Sequence, residues 1–369
     1  MLNNKPVFRP SFGNRPDQLL GRDSVIDEVL EGLQTYPGCA QRATLLVGQR
    51  GMGKTALLLE IADRSKELEY IPVRITCGEA MLDNLIDLLQ RAGSEFIKET
   101  KPPIKGFSAG ALGFSVGLTF TEEAQRSFGF RVKLEMICEK LAHTGKHILI
   151  LVDEVDPSLE QMRELAITYQ ELAGNESDVA IVMAGLPSSI SDILNYKTLT
   201  FLNRAQRIPL ELVPISEIEA YYLSAFERAS IIATPQIIKE AAMSTEGFPY
   251  SIQLIGYYLS KLATNNKPVN KEMLEKAKSL ASNEIDQKVF QAILNPLSDL
   301  DISILKVISK NGGIIKTSEL ETSLGISHGT VQTYRKRLLD AGVVTSPRRG
   351  ELKVSFPQLA DYLCRQTDE

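Results

Sequence analysis

The chain has 369 residues, of which 43% are apolar and 24% charged. That composition is ordinary for folded globular protein, leaves room for two or three domains, and gives no sign of disorder. The formal net charge of −5 argues against a general polyanion-binding surface, although a local one remains open. No apolar run reaches the roughly 18 residues that a membrane-spanning helix needs. Met1–Pro16 is polar and lacks the apolar core of a secretory signal. Cys39, Cys77, Cys138 and Cys364 are scattered without paired or metal-ligand spacing, which suits reduced thiols, and the three histidines are scattered too. A cytoplasmic protein without membrane contact is therefore expected.

In chain order, Ala43–Gly48 is a short apolar run entering a glycine loop, and Tyr70–Cys77 alternates as a second strand. His147–Val152 and Val179–Ala184 are continuous apolar runs, the signature of parallel strands covered on both faces. Helical patterns lie between them at Lys54–Leu68, Met81–Phe96, Glu122–His143 and Glu160–Leu172, and a further strand is predicted at Arg207–Leu212. Alternation of this kind indicates an α/β fold with right-handed crossovers. Gly106–Phe120 is rich in glycine and small residues. It is predicted as a β-hairpin inserted in the sheet, with Phe114, Val116, Leu118 and Phe120 on one face. Packing on a sheet edge and contact with a partner both remain open for it.

After Val213-Pro214 the pattern turns helical: Ser216–Arg228, Pro235–Met243, Tyr250–Ala263 and Asn270–Ala292. Asn295-Pro296 marks a boundary, because the residue before proline disfavours helix. Beyond it, Leu300–Ser309, Thr317–Leu324 and Ser327–Ala341 read as three helices. Val343–Ser346 and Leu352–Phe356 flank Pro347-Arg348-Arg349-Gly350 as a hairpin. Helix, tight turn and helix followed by a hairpin is a winged helix-turn-helix pattern, with Ser327 as N-cap of the second helix.

The chemistry is carried by two motifs. Gly48-Gln49-Arg50-Gly51-Met52-Gly53-Lys54-Thr55 fits G-x-x-x-x-G-K-[ST] in full, between a strand and a helix. Such a loop curls so that its N–H groups, backed by the helix that Ala56 continues, converge on phosphates. Lys54 is expected to neutralise β- and γ-phosphate charge and Thr55 to ligate Mg²⁺, so the cofactors implied are ATP and Mg²⁺. Ile148–Val152 ends in Asp153-Glu154. A carboxylate at the end of a buried strand beside the loop would hold the metal shell, and Glu154 would orient or deprotonate a water. Asp156 is expected to cap the following helix ahead of Pro157.

Arg15-Pro16 with Gly21-Arg22-Asp23, the glycine loop, and Leu151-Val152-Asp153-Glu154 together resemble the AAA+ superfamily. The closer resemblance is to its origin-recognition and archaeal-type ATPase branch and their STAND relatives. It continues through Gly247-Phe248-Pro249 to the winged helix and so covers nearly the whole chain. It implies that Gly21 and Arg22 lie near the adenine, that Pro249 belongs to the nucleotide-contacting lid, and that Arg204 is an arginine finger. Such a finger acts on the ATP of a neighbouring subunit in a homo-oligomer, and Arg207 competes for the role. Two departures matter. Met183-Ala184-Gly185-Leu186-Pro187 carries no polar sensor, leaving Ser188 and Ser189 as the nearest hydroxyls, and Tyr250 stands where many members have a lid arginine. Both favour a slow ATP-dependent switch over a fast motor.

The second helix of the winged module carries Thr330, Gln332, Thr333, Arg335, Lys336 and Arg337 among Val331, Tyr334 and Leu338, and the hairpin adds Arg348, Arg349 and Lys353. These groups suit phosphate and base-edge contacts on duplex DNA. Residues 296–369 hold ten basic and nine acidic side chains, so any basic surface there is local. The expected organisation is an α/β P-loop ATPase domain over 1–214, a helical lid over 215–295 and a winged helix-turn-helix over 296–369. Its expected function is an ATPase whose nucleotide state gates DNA binding or assembly. The alternative is a signalling or defence scaffold whose winged helix binds protein.

Overall fold

The computed structural model describes residues 6–11, 15–97, 114–263 and 268–366. The first part of the chain runs α1 (Asp23–Leu33), β1 (Ala43–Val47), α2 (Lys54–Ser65), β2 (Tyr70–Thr76) and α3 (Met81–Ser94). A hairpin of β3 (Phe114–Val116) and β4 (Thr119–Phe120) follows, then α4 (Glu122–Ser127), α5 (Phe130–Ala142), β5 (His147–Asp153), α6 (Glu160–Gly174), β6 (Val179–Gly185), α7 (Pro187–Asn195) and β7 (Gln206–Pro209). Five strands form one parallel sheet in the order β2-β5-β6-β1-β7. Its central strands are the two continuous apolar runs: β6 is wholly buried and β5 is buried from Ile148 onward. At the edge, β2 alternates instead, leaving Arg74 and Thr76 exposed.

Three readings of this region need correction. The hairpin does not join the parallel sheet: β3 and β4 make a separate two-stranded antiparallel sheet. It is held on α3 and α5, where Leu118 is fully buried and Gln90 Nε2 donates to the Leu118 carbonyl at 2.9 Å. Phe114 and Phe120 stack at 4.6 Å, with the Lys140 ammonium 4.2 Å above the Phe114 ring. Gly106–Gly113 lies outside the described residues. The helix expected over Glu122–His143 is two helices, because Phe128 and Gly129 take extended backbone between them. The last strand spans Gln206–Pro209 and stops short of Leu212, since its partner β1 ends at Val47, to whose carbonyl the Leu210 amide makes the last bond at 2.8 Å.

Four helices cover the next stretch: α8 (Ile215–Arg228), α9 (Pro235–Met243), α10 (Pro249–Leu262) and α11 (Lys271–Ile285). The last runs through a π-helical turn, Asp286–Phe290, into α12 (Gln291–Leu294). This helical lid is clasped by the N-terminal segment. Phe8 is 2% exposed and meets Tyr221, Tyr222 and Phe226 edge-on at about 6 Å, and the Arg9 amide donates to Gln253 Oε1 at 3.0 Å.

The winged helix follows as α13 (Asp299–Lys310), β8 (Ile314–Lys316), α14 (Thr317–Leu324), α15 (His328–Asp340), β9 (Val344–Thr345), β10 (Glu351–Val354) and α16 (Pro357–Arg365). Its strands form a three-stranded antiparallel sheet, β8-β10-β9. Ser298 and Asp301 close a reciprocal capping box on α13, and Ser327 caps α15 through the Thr330 amide, as its position in the sequence implied. One continuous apolar cluster joins the α2 side of the parallel sheet, the lid and the winged helix, and the opposite face of the sheet carries a second. Phe248 of the lid meets Phe356 of the winged helix at 5.6 Å, and Gln358 Nε2 donates to the Thr245 carbonyl.

Candidate nucleotide site and winged-helix face

The phosphate-type loop sits where β1 ends and α2 begins. Gly53 is the N-cap at φ +82°, so the loop amides and the positive end of α2 share one opening. Gly51 has φ +81°, and a Cβ there would lie 2.5 Å from Phe248 Cζ, so both its backbone and its space demand glycine. Lys54 folds back on the loop: its Nζ donates to the Gly48 carbonyl at 2.7 Å and the Gln49 carbonyl at 3.0 Å. Burial pushes its pKa down to about 8, against the pull of Asp153 and Glu154 and helped by Arg50.

Beside the loop, β5 delivers Asp153, which is 4% exposed. Its Oδ2 accepts from Arg74 at 3.3 Å, while Oδ1 is buried without a hydrogen-bond partner. Glu154 is exposed and sits at φ +59°, a strained conformation for a residue with a side chain. Asp156 does not cap α6. Its Oδ1 accepts from the amide and hydroxyl of Ser158 in a local turn, and the helix begins later, at Glu160.

A cleft of about 610 Å³ opens over these groups. Its floor is Arg50–Ala56 with Asp153 and Glu154, and one wall is Pro249 and Tyr250 of the lid. That size suits a nucleotide-like ligand. Gly48 and Gln49 do not line it: Gly48 packs against Leu210 and Met52, and the Gln49 side chain leaves the cleft. Gly21 packs against Val213 and Pro214 at φ +61°. Arg22 is 4% exposed and lines the cleft, but its guanidinium is tied to the carbonyls of Glu211 at 2.9 Å and Met52 at 3.4 Å, which braces the loop. Burial lowers the pKa of Arg22, and Glu211 and Glu217 oppose that.

Several cleft residues escaped the sequence reading. Arg9 and Pro10 enter from the N-terminal segment, and Lys288 and Val289 from the π-helical turn, whereas Ser189 of α7, named from the sequence, also lines the cleft. Lys288 Nζ lies 2.6 Å from Glu284 Oε1, which also accepts from Tyr250 at 3.1 Å, while Glu284 Oε2 accepts from Tyr258. Burial pushes the Glu284 pKa up, but hydrogen bonds from Lys288, Tyr258 and Tyr250 outweigh it and hold the carboxyl below its ordinary value. Pi-helical turns collect at functional sites, but this one is visible only in the structure, so the sequence held no signal for Lys288. The sequence offered none for Arg9.

The residue set fits Mg²⁺ and a triphosphate. Asp153 offers an orphaned buried carboxylate oxygen, Thr55 lines the cleft one residue from Lys54, and the loop presents its helix N-terminus to the same space. Arg204 lies elsewhere. It ends a short 3₁₀ turn, Thr200–Arg204, is exposed, and makes no ion pair or side-chain hydrogen bond among the described residues. Its competitor Arg207 donates to Asn203 Oδ1 at 2.8 Å.

On α15, Gln332, Thr333 and Lys336 are exposed, as are Arg348 and Arg349 at the hairpin tip. Thr330 is half-buried within the cap. Arg335 is half-buried and donates to Ser346 Oγ at 3.2 Å. Val331 and Leu338 are buried, and Tyr334 is half-buried beneath the Arg337 guanidinium.

The five-stranded parallel sheet, the glycine loop and the Asp-Glu pair define a P-loop ATPase. A family model described as AAA domain matches residues 39–194, and one described as a domain of unknown function matches residues 287–363. Along its whole length the chain is 21% identical to a protein of Methanocaldococcus jannaschii described as an uncharacterized HTH-type transcriptional regulator, covering 94% of it. Among solved structures it is similar to the Walker-type ATPase of Pyrococcus abyssi (TM-score 0.63, 18% identity, 97% of this chain and 98% of that one). It is also similar to the Aeropyrum pernix ORC2 protein solved in ADPNP–ADP complexes (TM-score 0.62, 13% identity, 97% and 96%). Likeness at these identities speaks for the fold. No helix among the described residues is long and apolar enough to cross a membrane.

Proposed function

We propose that this P-loop ATPase binds Mg·ATP, hydrolyses it slowly, and uses its nucleotide state to gate duplex DNA binding or assembly through the winged helix. Residues 1–214 would be the ATPase domain, 215–295 the lid and 296–369 the winged helix. The observation that carries the reading is one hydrogen bond. Gln49, a residue of the phosphate loop, donates its Nε2 to the Ala341 carbonyl at 2.7 Å, at the C-terminal end of the helix that would read DNA. The approach is close: a Cβ on Gly342 would fall 2.4 Å from Pro187 and 2.7 Å from Gln49 Nε2. Ser191 of α7 donates to Asp340 at 3.1 Å in the same contact.

Lys54 rests on the carbonyls of Gly48 and Gln49, so phosphate that draws the ammonium away frees the backbone carrying the Gln49 side chain. Nucleotide and winged helix are thereby given a shared element to bias. Bound ATP would lie on the loop with Lys54 against its phosphates, and Thr55 and Asp153 would hold Mg²⁺, which would offset phosphate charge. Glu154, exposed to the cleft, would take the proton of an attacking water. Slow turnover fits Tyr250, whose hydroxyl is committed to Glu284, and the apolar end of β6. The exposed Arg204 would act from a neighbouring protomer. ATPase activity per subunit should then rise with protein concentration, and mixing Arg204→Ala with Asp153→Ala protein should restore part of it.

The DNA reading is supported by the exposed basic tip Arg348-Arg349, by Lys336, and by the HTH-type description of the methanogen relative. Fluorescence anisotropy of a labelled duplex, with and without ATP, tests it. Tighter, salt-sensitive binding with ATP is expected, and Gln49→Ala should keep ATP binding yet erase the difference between the two states. No duplex binding at low salt by the ATP-bound chain would sink the DNA reading and leave the protein-docking scaffold as the better account.

A further inference from the structure

Arg74 is a charged residue on the edge strand β2 that nucleotide binding and hydrolysis leave unused. It stands on β2 in register with Leu151 of β5, two residues before Asp153 and therefore on the same face of the sheet. From that diagonal position its Nη1 reaches Asp153 Oδ2 at 3.3 Å. The two partners are unequally buried, with side-chain exposures of 38% for Arg74 and 6% for Asp153. The other carboxylate oxygen, Oδ1, is buried without a partner. Lys54, the nearby cleft cation, has its hydrogen bonds directed to two loop carbonyls. Among the described residues the pair with Arg74 is the ion pair that Asp153 makes. A carboxylate this buried is costly to keep charged without such compensation.

We propose that Arg74 is a resident counter-ion for the metal-binding carboxylate. It neutralises Asp153 while the site is empty and must be displaced by an arriving divalent cation. The inference rests on the reading of Asp153 as a metal-binding residue. Unequal burial gives the exchange a direction: the long, part-exposed guanidinium can swing into water, whereas Asp153 is fixed at the end of a central strand. Bare Mg²⁺ then competes poorly against a tethered cation. Mg²⁺ arriving with a triphosphate competes better, because the phosphates bring negative charge for both cations. Arg74 would thereby make metal entry depend on nucleotide.

The test uses the full-length, nucleotide-free protein and Mn²⁺ as probe, with free Mn²⁺ read by electron paramagnetic resonance. Arg74→Gln removes the charge and keeps polar bulk. It should tighten Mn²⁺ binding on the order of tenfold, because the carboxylate then no longer shares its charge with a neighbouring cation. Arg74→Lys keeps the cation and should stay near the wild-type value, which also guards against a fold defect in the glutamine variant. Unchanged or weaker Mn²⁺ binding by Arg74→Gln would overturn the counter-ion role. Asp153→Asn should abolish the gain in an Arg74→Gln background. If instead Asp153→Asn left Mn·ATP binding unaltered, the metal-ligand reading itself would fall, an outcome distinguishable from failure of the Arg74 proposal alone.

Discussion

The phosphate loop and the winged-helix face solve opposite problems. In the loop the functional groups are buried and already engaged: Lys54 with two carbonyls, Asp153 with Arg74, Arg22 with Glu211 and Met52. On the winged helix, Lys336, Arg348 and Arg349 stand exposed. A buried polar group without a partner is costly, so a site that must present charge to a ligand holds that charge on internal partners until the ligand takes over. An exposed cation has water and needs no such arrangement. Substitutions should accordingly act strongly and specifically in the loop, and weakly, cumulatively and with salt dependence on the winged helix.

The largest effect should come from Glu154→Gln, whose amide cannot accept a proton. Single-turnover hydrolysis should fall by about 10²- to 10⁴-fold while calorimetry finds ATP binding intact. An undiminished rate would remove Glu154 from the chemistry. Lys54→Ala deletes contacts from a buried cation, each worth roughly 1.5–3 kcal/mol to a charged partner, so ATP affinity should drop by about 100-fold or more. Titration calorimetry reads this directly, and unchanged affinity would refute the assignment of the loop. Smaller is the effect of pH. With the Lys54 pKa lowered to about 8, the free protein loses that proton as pH rises through 8, and the phosphates must then restore it on binding. Apparent ATP affinity should be flat below pH 8 and fall by up to about tenfold per unit above it. Lys54→Arg should remove the bend, and a bend that persisted would place the titration elsewhere.

The smallest effect at fixed salt, and the sharpest test of the contrast, is the Arg348→Ala, Arg349→Ala pair. Each lost phosphate contact should reduce the slope of log affinity against log salt by about 0.9, hence about two units for the pair. Anisotropy at several salt concentrations measures it. An unchanged slope would mean that the hairpin tip does not touch phosphate.

The chemistry of the loop was legible because it is local. Eight consecutive residues carry the loop, the preceding apolar run makes its strand, and a second apolar run ends in the acid pair. The strands β5 and β6 were readable because burial on both faces leaves no polar position in them. The winged helix was readable at Ser327, where the cap is a contact three residues away. The elements α1, α7, β8 and α16 were missed: β8 has only three residues in which to alternate, while α1 carries Ile26, Val29 and Leu33 at helical spacing and was legible in principle. The hairpin was misassigned for a related reason: alternation reveals a strand but not the sheet it joins.

What only the tertiary structure decided are pairings across long sequence separations. Arg74 meets Asp153 because β2 lies beside β5 in one particular register. Gln49 turns from the nucleotide toward Ala341, 292 positions away, and Phe8 closes on the lid rather than trailing from it. Lys288 reaches the cleft from a π-helical turn. Local motifs are dictated by backbone conformation and hydrogen bonding among neighbours, which residue type and spacing encode directly. A long-range contact depends on how whole layers pack, and one position in a sequence holds no record of its partner. The sequence by itself therefore determined that this chain carries a phosphate-binding loop with its acidic pair. Packing decided which partners those groups hold, and that the loop touches the helix at the far end of the chain.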